Sequence, residues 1–271
     1  MIESKDAIRS EAATVTEARM DAPFQHRLLD IPQDSTVPSR SFFASPDERY
    51  FAMISLGAIV DFHTLICPMI RRLGLRAPCS MRDTVTSASD LESLKTSLES
   101  IVRLVSQHVS GEAALLCFEH GNHPYSDCSG ACGTAFPHLH VLPLAGTVSA
   151  VPHRVADRVL RETQRLYEQQ MEYNGLAEFY GSRRGLGEYL MVSDGLWHGG
   201  RTIAVWSGDD RSFPSQIVRR IVQMVLGMRV NRWQDDLKLD GAVEQARKLN
   251  QAVASKNVES DSPSRTLSLR V

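Results

Sequence analysis

The sequence predicts an α+β protein: an antiparallel β-sheet with helices packed on it, continued by a C-terminal α/β extension. Three observations lead there. From Ser39 to Arg72, short runs of β-compatible and apolar residues alternate with turn signals. Between Ser87 and Val109, and again between Phe213 and Gly227, apolar residues recur at helical spacing. Tyr189–Val192 and Thr202–Trp206 have the composition of two strands of a hairpin joined by a long loop.

Taken in order, residues 1–40 form a polar N-terminal extension, partly irregular, with Pro32 and Pro38 bracketing a Ser/Thr turn region. Residues 41–150 form the core. Tyr50–Leu56 and Thr64–Cys67 are expected as strands, with Pro46-Asp47 and Gly57 at turns and His63 opening the later strand. The helix over Ser87–Val109 carries Leu91, Leu94, Leu98, Ile101, Val102 and Val105 on its stripe, with Ser89 or Asp90 as cap. Ala113–Glu119 follows as a short buried strand. Residues 151–233 are a helix, hairpin and helix packed on the core: Pro152–Tyr173 as an amphipathic helix, the hairpin, then the helix after Pro214. Its N-terminus, with Ser215 and Gln216, can hold a phosphate or carboxylate; Arg219 and Arg220 are expected on its exposed side. Residues 234–271 are a charged segment followed by a Ser-rich tail, from Ser255, that is expected to be disordered.

Composition narrows the function. In 271 residues with 42% hydrophobic content there is material for a real core. A net charge of −2 supplies no general field for polyanions, so nucleic acid is not expected as a partner and any phosphate recognition must be local. No stretch approaches the roughly 18 apolar residues of a membrane span, and the first residues carry no apolar run. Five dispersed cysteines, an odd number, fit reduced thiols and a cytoplasmic protein.

The chemistry gathers between Phe118 and Leu144, where four of the nine histidines fall. In an extended segment His138 and His140 share one face, roughly 6.5 Å apart along the backbone, while Leu139 and Val141 point the other way. An imidazole titrates near neutrality, so one ring can be a nucleophile while its neighbour donates a hydrogen bond to a phosphate oxygen. Phosphoryl and nucleotidyl transfer ask chiefly for such positioning and charge stabilisation. The loop Gly121–Thr134, rich in small residues, can bring backbone N–H groups to an anion. A second reading makes Cys128 and Cys132, with His120, His123, His138 and His140, ligands of a structural zinc; a third makes the two histidines plain surface residues.

Phe118-Glu119-His120-Gly121, the Gly-rich loop with Cys132-Gly133, and Phe136-Pro137-His138-Leu139-His140-Val141-Leu142-Pro143 together resemble the histidine-triad (HIT) superfamily of nucleotide hydrolases and transferases, in its bacterial HIT-like branch. Asp61–Pro68 resembles the family's first-half strand, with Phe62 where the family has Gly, and the Phe213–Arg220 segment followed by Trp233 is similar to the C-terminal part of that branch. The resemblance covers roughly residues 41–233, and Phe136 replaces the first triad histidine. It implies a HIT-like fold and a nucleotidyl hydrolase or transferase acting on a phosphoanhydride, phosphoester or phosphoramidate, through a nucleotidyl-histidine intermediate on His138. His140 and Thr134 are then expected to bind the phosphate oxygens, and Glu119 and His63 to line the nucleotide side. A nucleotide-type small molecule is the implied partner, no cofactor is required beyond the zinc reading, and a homodimer fits relatives that pair. The alternative is a nucleotide-binding protein that has lost turnover.

Overall fold

A computed structural model of the chain describes residues 41–47, 49–69, 80–109, 113–121, 137–145, 150–182, 187–208, 212–214, 216–231 and 239–260. Eight strands make one sheet: β1 Ser41–Ala44, β2 Tyr50–Ile54, β3 Thr64–Pro68, β4 Ala113–Gly121, β5 Leu139–Ala145, β6 Tyr167–Asn174, β7 Tyr189–Ser193 and β8 Arg201–Ser207. Their spatial order is β1-β2-β3-β5-β4-β7-β8-β6, and all seven pairings are antiparallel. The hairpin of the C-terminal half thus continues the core sheet through β4–β7.

Five helices cover this sheet among the described residues: α1 Ala88–Ser106, α2 Ala150–Thr163, α3 Leu176–Gly181, α4 Ile217–Val225 and α5 Leu239–Ser260. One face packs Tyr50, Ala52, Ile54, Ile66, Cys117, Leu139, Val141, Met191 and Trp206 against α1, α3 and α5. The other packs Leu116, Phe118, Leu142, Leu144, Leu190 and Val192 against α2 and α4. Both faces are apolar because side chains alternate along strands buried on both sides. The two halves share one sheet because Phe118 to Gly121 on β4 pair with Tyr189 to Val192 on β7.

Several elements differ from the sequence reading. The helix expected over Pro152–Tyr173 stops at Thr163, and Tyr167–Asn174 is the edge strand β6. Gln170, Glu172 and Asn174 are solvated while Met171 and Tyr173 on the other face are covered, but a register shift between Tyr167 and Gln169 cuts this alternation short. Helix α5 forms in the charged segment and runs into the start of the Ser-rich tail; its buried side uses Ala242, Ala246 and Leu249 against β1, β2 and α1. Small residues give such a helix little hydrophobic signal. Helix α1 is capped by Ser87, in a reciprocal capping box with Asp90, rather than by Ser89. Helix α4 starts only at Ile217, since Gln216 is left-handed with φ of 60°.

Candidate functional site

The site is built on the α2/α4 face where β3, β5 and β4 lie side by side. His140 is the second residue of β5; it faces Leu65 on β3 and Phe118 on β4 across the ladders. Phe118 stacks on its ring at 4.1 Å between centroids, with 16° between planes. That contact and the flanking strands hold His140 buried, whereas His138, just ahead of β5, is half-buried. The two rings face each other, with Nε2 to Nε2 at 3.0 Å.

His63 joins them from the end of the β2–β3 turn. Its Nε2 is 2.9 Å from Nδ1 of His140, and it is wholly buried. The turn is unusual in that Phe62, immediately before it, has φ of 57°, a left-handed conformation that favours glycine. Phe62 is held there by its N–H donating to Oε1 of Gln245 on α5 at 2.8 Å, and by packing of its ring 5.5 Å from His108.

The hydrogen positions of all three rings follow from one backbone contact. The N–H of Ile59 donates to Nδ1 of His63 at 3.2 Å, so that nitrogen bears a lone pair and the hydrogen of the neutral ring sits on Nε2. Nε2–H then donates to Nδ1 of His140, whose own hydrogen must be on Nε2, and this donates to Nε2 of His138. His138 is thereby left with a basic Nε2 lone pair at the more exposed end of the chain. Burial, then the nearby Arg219 guanidinium and His138, hold the His63 pKa well below the ordinary histidine value. His140 is held low by burial first, then by His138, His63 and Arg219. Both rings are therefore neutral at physiological pH.

Arg219 was expected on an exposed helix side together with Arg220. Instead it is 5% exposed, and its Nη1 donates to the carbonyl of Gly57 in the β2–β3 turn. It braces the turn that carries Ile59 and brings a buried cation beside the imidazole chain. Arg220 is exposed. On the wheel Arg219 sits at the edge of the apolar side made by Val222, Val218 and Ile221, with Gln223, also buried, on its other side.

Glu119 is not part of this cluster. It projects from the opposite face of β4, where Oε1 accepts the Met81 N–H at 2.6 Å and the Tyr189 hydroxyl at 2.7 Å, and Oε2 accepts the Tyr180 hydroxyl at 2.9 Å. Strand alternation is the reason: Phe118 and His120 share the face of His140, so the residue between them cannot. Burial pushes the Glu119 carboxyl up to about 7, against these three donors.

Gln216 lies at the N-terminal edge of α4. Thr134, Ser215 and Phe136, with Cys128, Cys132 and His123 of the zinc reading, lie outside the described residues. Among the described residues no three His, Cys, Asp or Glu side chains gather to hold a metal. His120, weighed only as a zinc ligand, sits on the histidine face with its Nε2 2.6 Å from Glu188. Among the described residues no helix is long and apolar enough to cross a membrane.

No protein-family model matches the chain, and no curated protein matches it. Among solved structures, the chain is similar to a GalT-like protein from Arabidopsis thaliana, with 8% sequence identity and a TM-score of 0.38 over 79% of this chain and 88% of that one.

Proposed function

We propose that this chain is a HIT-like nucleotidyl hydrolase or transferase in which His138 is the nucleophile. The supporting observation is the directed imidazole chain, which ends in a lone pair on Nε2 of His138, 3.0 Å from the Nε2–H of His140. Both nitrogens address one point. A phosphoryl group placed there exchanges the contact between the rings for two of its own: Nε2–H of His140 turns to a non-bridging oxygen, and the freed lone pair of His138 meets the phosphorus. The N–P bond forms as the bond from phosphorus to the leaving oxygen breaks, its electron pair leaving with that oxygen, which takes a proton from solvent. Water or another acceptor hydroxyl then attacks the phosphorus and gives up its proton to solvent, the N–P bond breaks, and the imidazole regains its lone pair.

Neutral His63 and His140 suit this task, because a charged His140 would carry hydrogens on both nitrogens and could no longer accept from His63. The cation of Arg219 beside them favours an anionic ligand. Incubation with labelled dinucleoside polyphosphates, nucleotide sugars and nucleoside phosphoramidates tests the reading. An acid-labile label on the wild type, absent from His138→Ala, is expected. Tight nucleotide binding with neither label nor product overturns catalysis and leaves a binding protein.

A further inference from the structure

His120 lies two residues beyond Phe118 on β4 and shares its face of the sheet. Phe118 is paired with His140 in the β4–β5 ladder, and extending that ladder by two residues sets His120 opposite His138. Its Nε2 is 2.6 Å from Oε1 of Glu188, which immediately precedes β7 on the other flank of β4. Oε2 of Glu188 accepts the N–H of Phe213 at 3.1 Å. A carboxylate oxygen accepts, so Nε2 of His120 donates to it, and the tautomer with its hydrogen there has its lone pair on Nδ1.

That Nδ1 is buried and, among the described residues, has no hydrogen-bond partner. The side chain is 2% exposed, so water does not simply wet it. Buried acceptors are nearly always satisfied, and one that is not points to a missing group. The two nitrogens of an imidazole face opposite flanks of the ring. With Nε2 turned to Glu188, Nδ1 lies on the side of the ring away from that carboxylate.

We propose that His120 is a substrate-contacting residue: its Nδ1 accepts the hydrogen of a ligand hydroxyl flanking the phosphate at His138 and His140, the pentose hydroxyl of a nucleotide being the chemical class that fits. This rests on the nucleotidyl reading above. A lone pair fixed by Glu188 repels phosphate oxygens and selects a donor, so the pair His120–Glu188 sets sugar specificity rather than charge. A site built to bond a substrate hydroxyl discriminates strongly against an analogue that lacks it.

The test is calorimetric titration of the full chain with a nucleoside monophosphate and its 2′- and 3′-deoxy and deoxyfluoro analogues. At one sugar position, replacement of hydroxyl by hydrogen is expected to weaken binding about tenfold or more, and replacement by fluorine, an acceptor only, at least as much. In Glu188→Gln the amide oxygen must face the Phe213 N–H, so the amide N–H faces Nε2 of His120 and reverses its tautomer. Nδ1 then donates, and the penalty for fluorine should fall to parity or below that for hydrogen. His120→Phe should abolish discrimination at that position. Equal wild-type binding of all sugar analogues overturns the inference and leaves the nucleotidyl reading intact, as does a fluorine penalty unchanged in both variants. Failure of every nucleotide to bind the wild type overturns both. If either variant does not fold, the wild-type analogue series decides by itself.

Discussion

The backbone N–H of Ile59 lies 3.2 Å from Nδ1 of His63, and every proton position along three imidazoles follows from that contact. A main-chain amide cannot rotate or ionise, so the direction of the chain His63 to His140 to His138 is fixed by the fold itself. Removing the link should be felt at His138, which it does not touch.

His63→Leu leaves Nδ1 of His140 without its donor and frees His140 to hold its hydrogen on either nitrogen. The lost bond is worth roughly 1–1.5 kcal/mol, enough to turn about nine molecules in ten to the tautomer with a lone pair toward His138, so turnover should fall about tenfold. Single-turnover rates with a labelled nucleotide check this, with nucleotide affinity changed less than the rate.

Acid stability should report the same chain. His63 and His140 have folded pKa values below the unfolded one near 6.5, so the unfolded state binds more protons in between. Their contribution is present above pH ~6.5 and is lost as pH falls toward the folded values, at up to about 1.4 kcal/mol per pH unit for each group. Urea unfolding between pH 5 and 7.5 should show a shallower dependence on pH in His63→Leu than in the wild type.

Glu119 should act with the opposite sign. Its folded pKa, raised to about 7, means that the native state holds the proton that the unfolded state has released. The stabilisation is present below the ordinary glutamate value of 4.5 and is lost as pH rises through about 7. Glu119→Gln removes this slope and should cost about 1 kcal/mol near pH 6, since the amide still meets two of its donors. Glu119→Leu orphans the Tyr180 and Tyr189 hydroxyls and the Met81 N–H and should cost about 3–5 kcal/mol. Denaturation midpoints of the two variants at pH 6 and 8 separate these outcomes.

At the start of α1, Ser87→Ala removes the side-chain half of the capping box with Asp90. About 1 kcal/mol of stability should be lost, with no change in nucleotide binding, because α1 lies on the face away from the histidines. Thermal melts and a binding titration together check the separation.

How much of this was legible in the residues depended on whether the signal was local. Helix α1 announces itself through the 3.6 period of Leu94, Leu98 and Ile101, and strands β2, β3 and β4 through short continuous runs of β-compatible apolar residues. The shared face of His138 and His140 is likewise a matter of two residues' spacing. His63 meets His140 across 77 positions of sequence, and nothing within either segment records that pairing. Strand β6 reads as helix because only Met171 and Tyr173 mark its covered face, and the irregularity between Tyr167 and Gln169 interrupts the alternation. Arg219 was taken for a surface charge because charge outweighs its place among Val218, Ile221 and Val222, and Glu119 was set beside the histidines although the pleat puts neighbours on opposite faces.

Gln245 and Phe62 carry a last consequence. A hydrogen bond spanning 183 positions ties the C-terminal helix to the one residue whose backbone is bent against its preference just ahead of His63. Clipping the chain before Leu239 would let that bend relax, and the first imidazole would drift from its mate although every catalytic side chain remained. Helix α5 thus works as a latch on His63, and on the proposed nucleotidyl-transfer reading a fragment lacking it should turn over poorly.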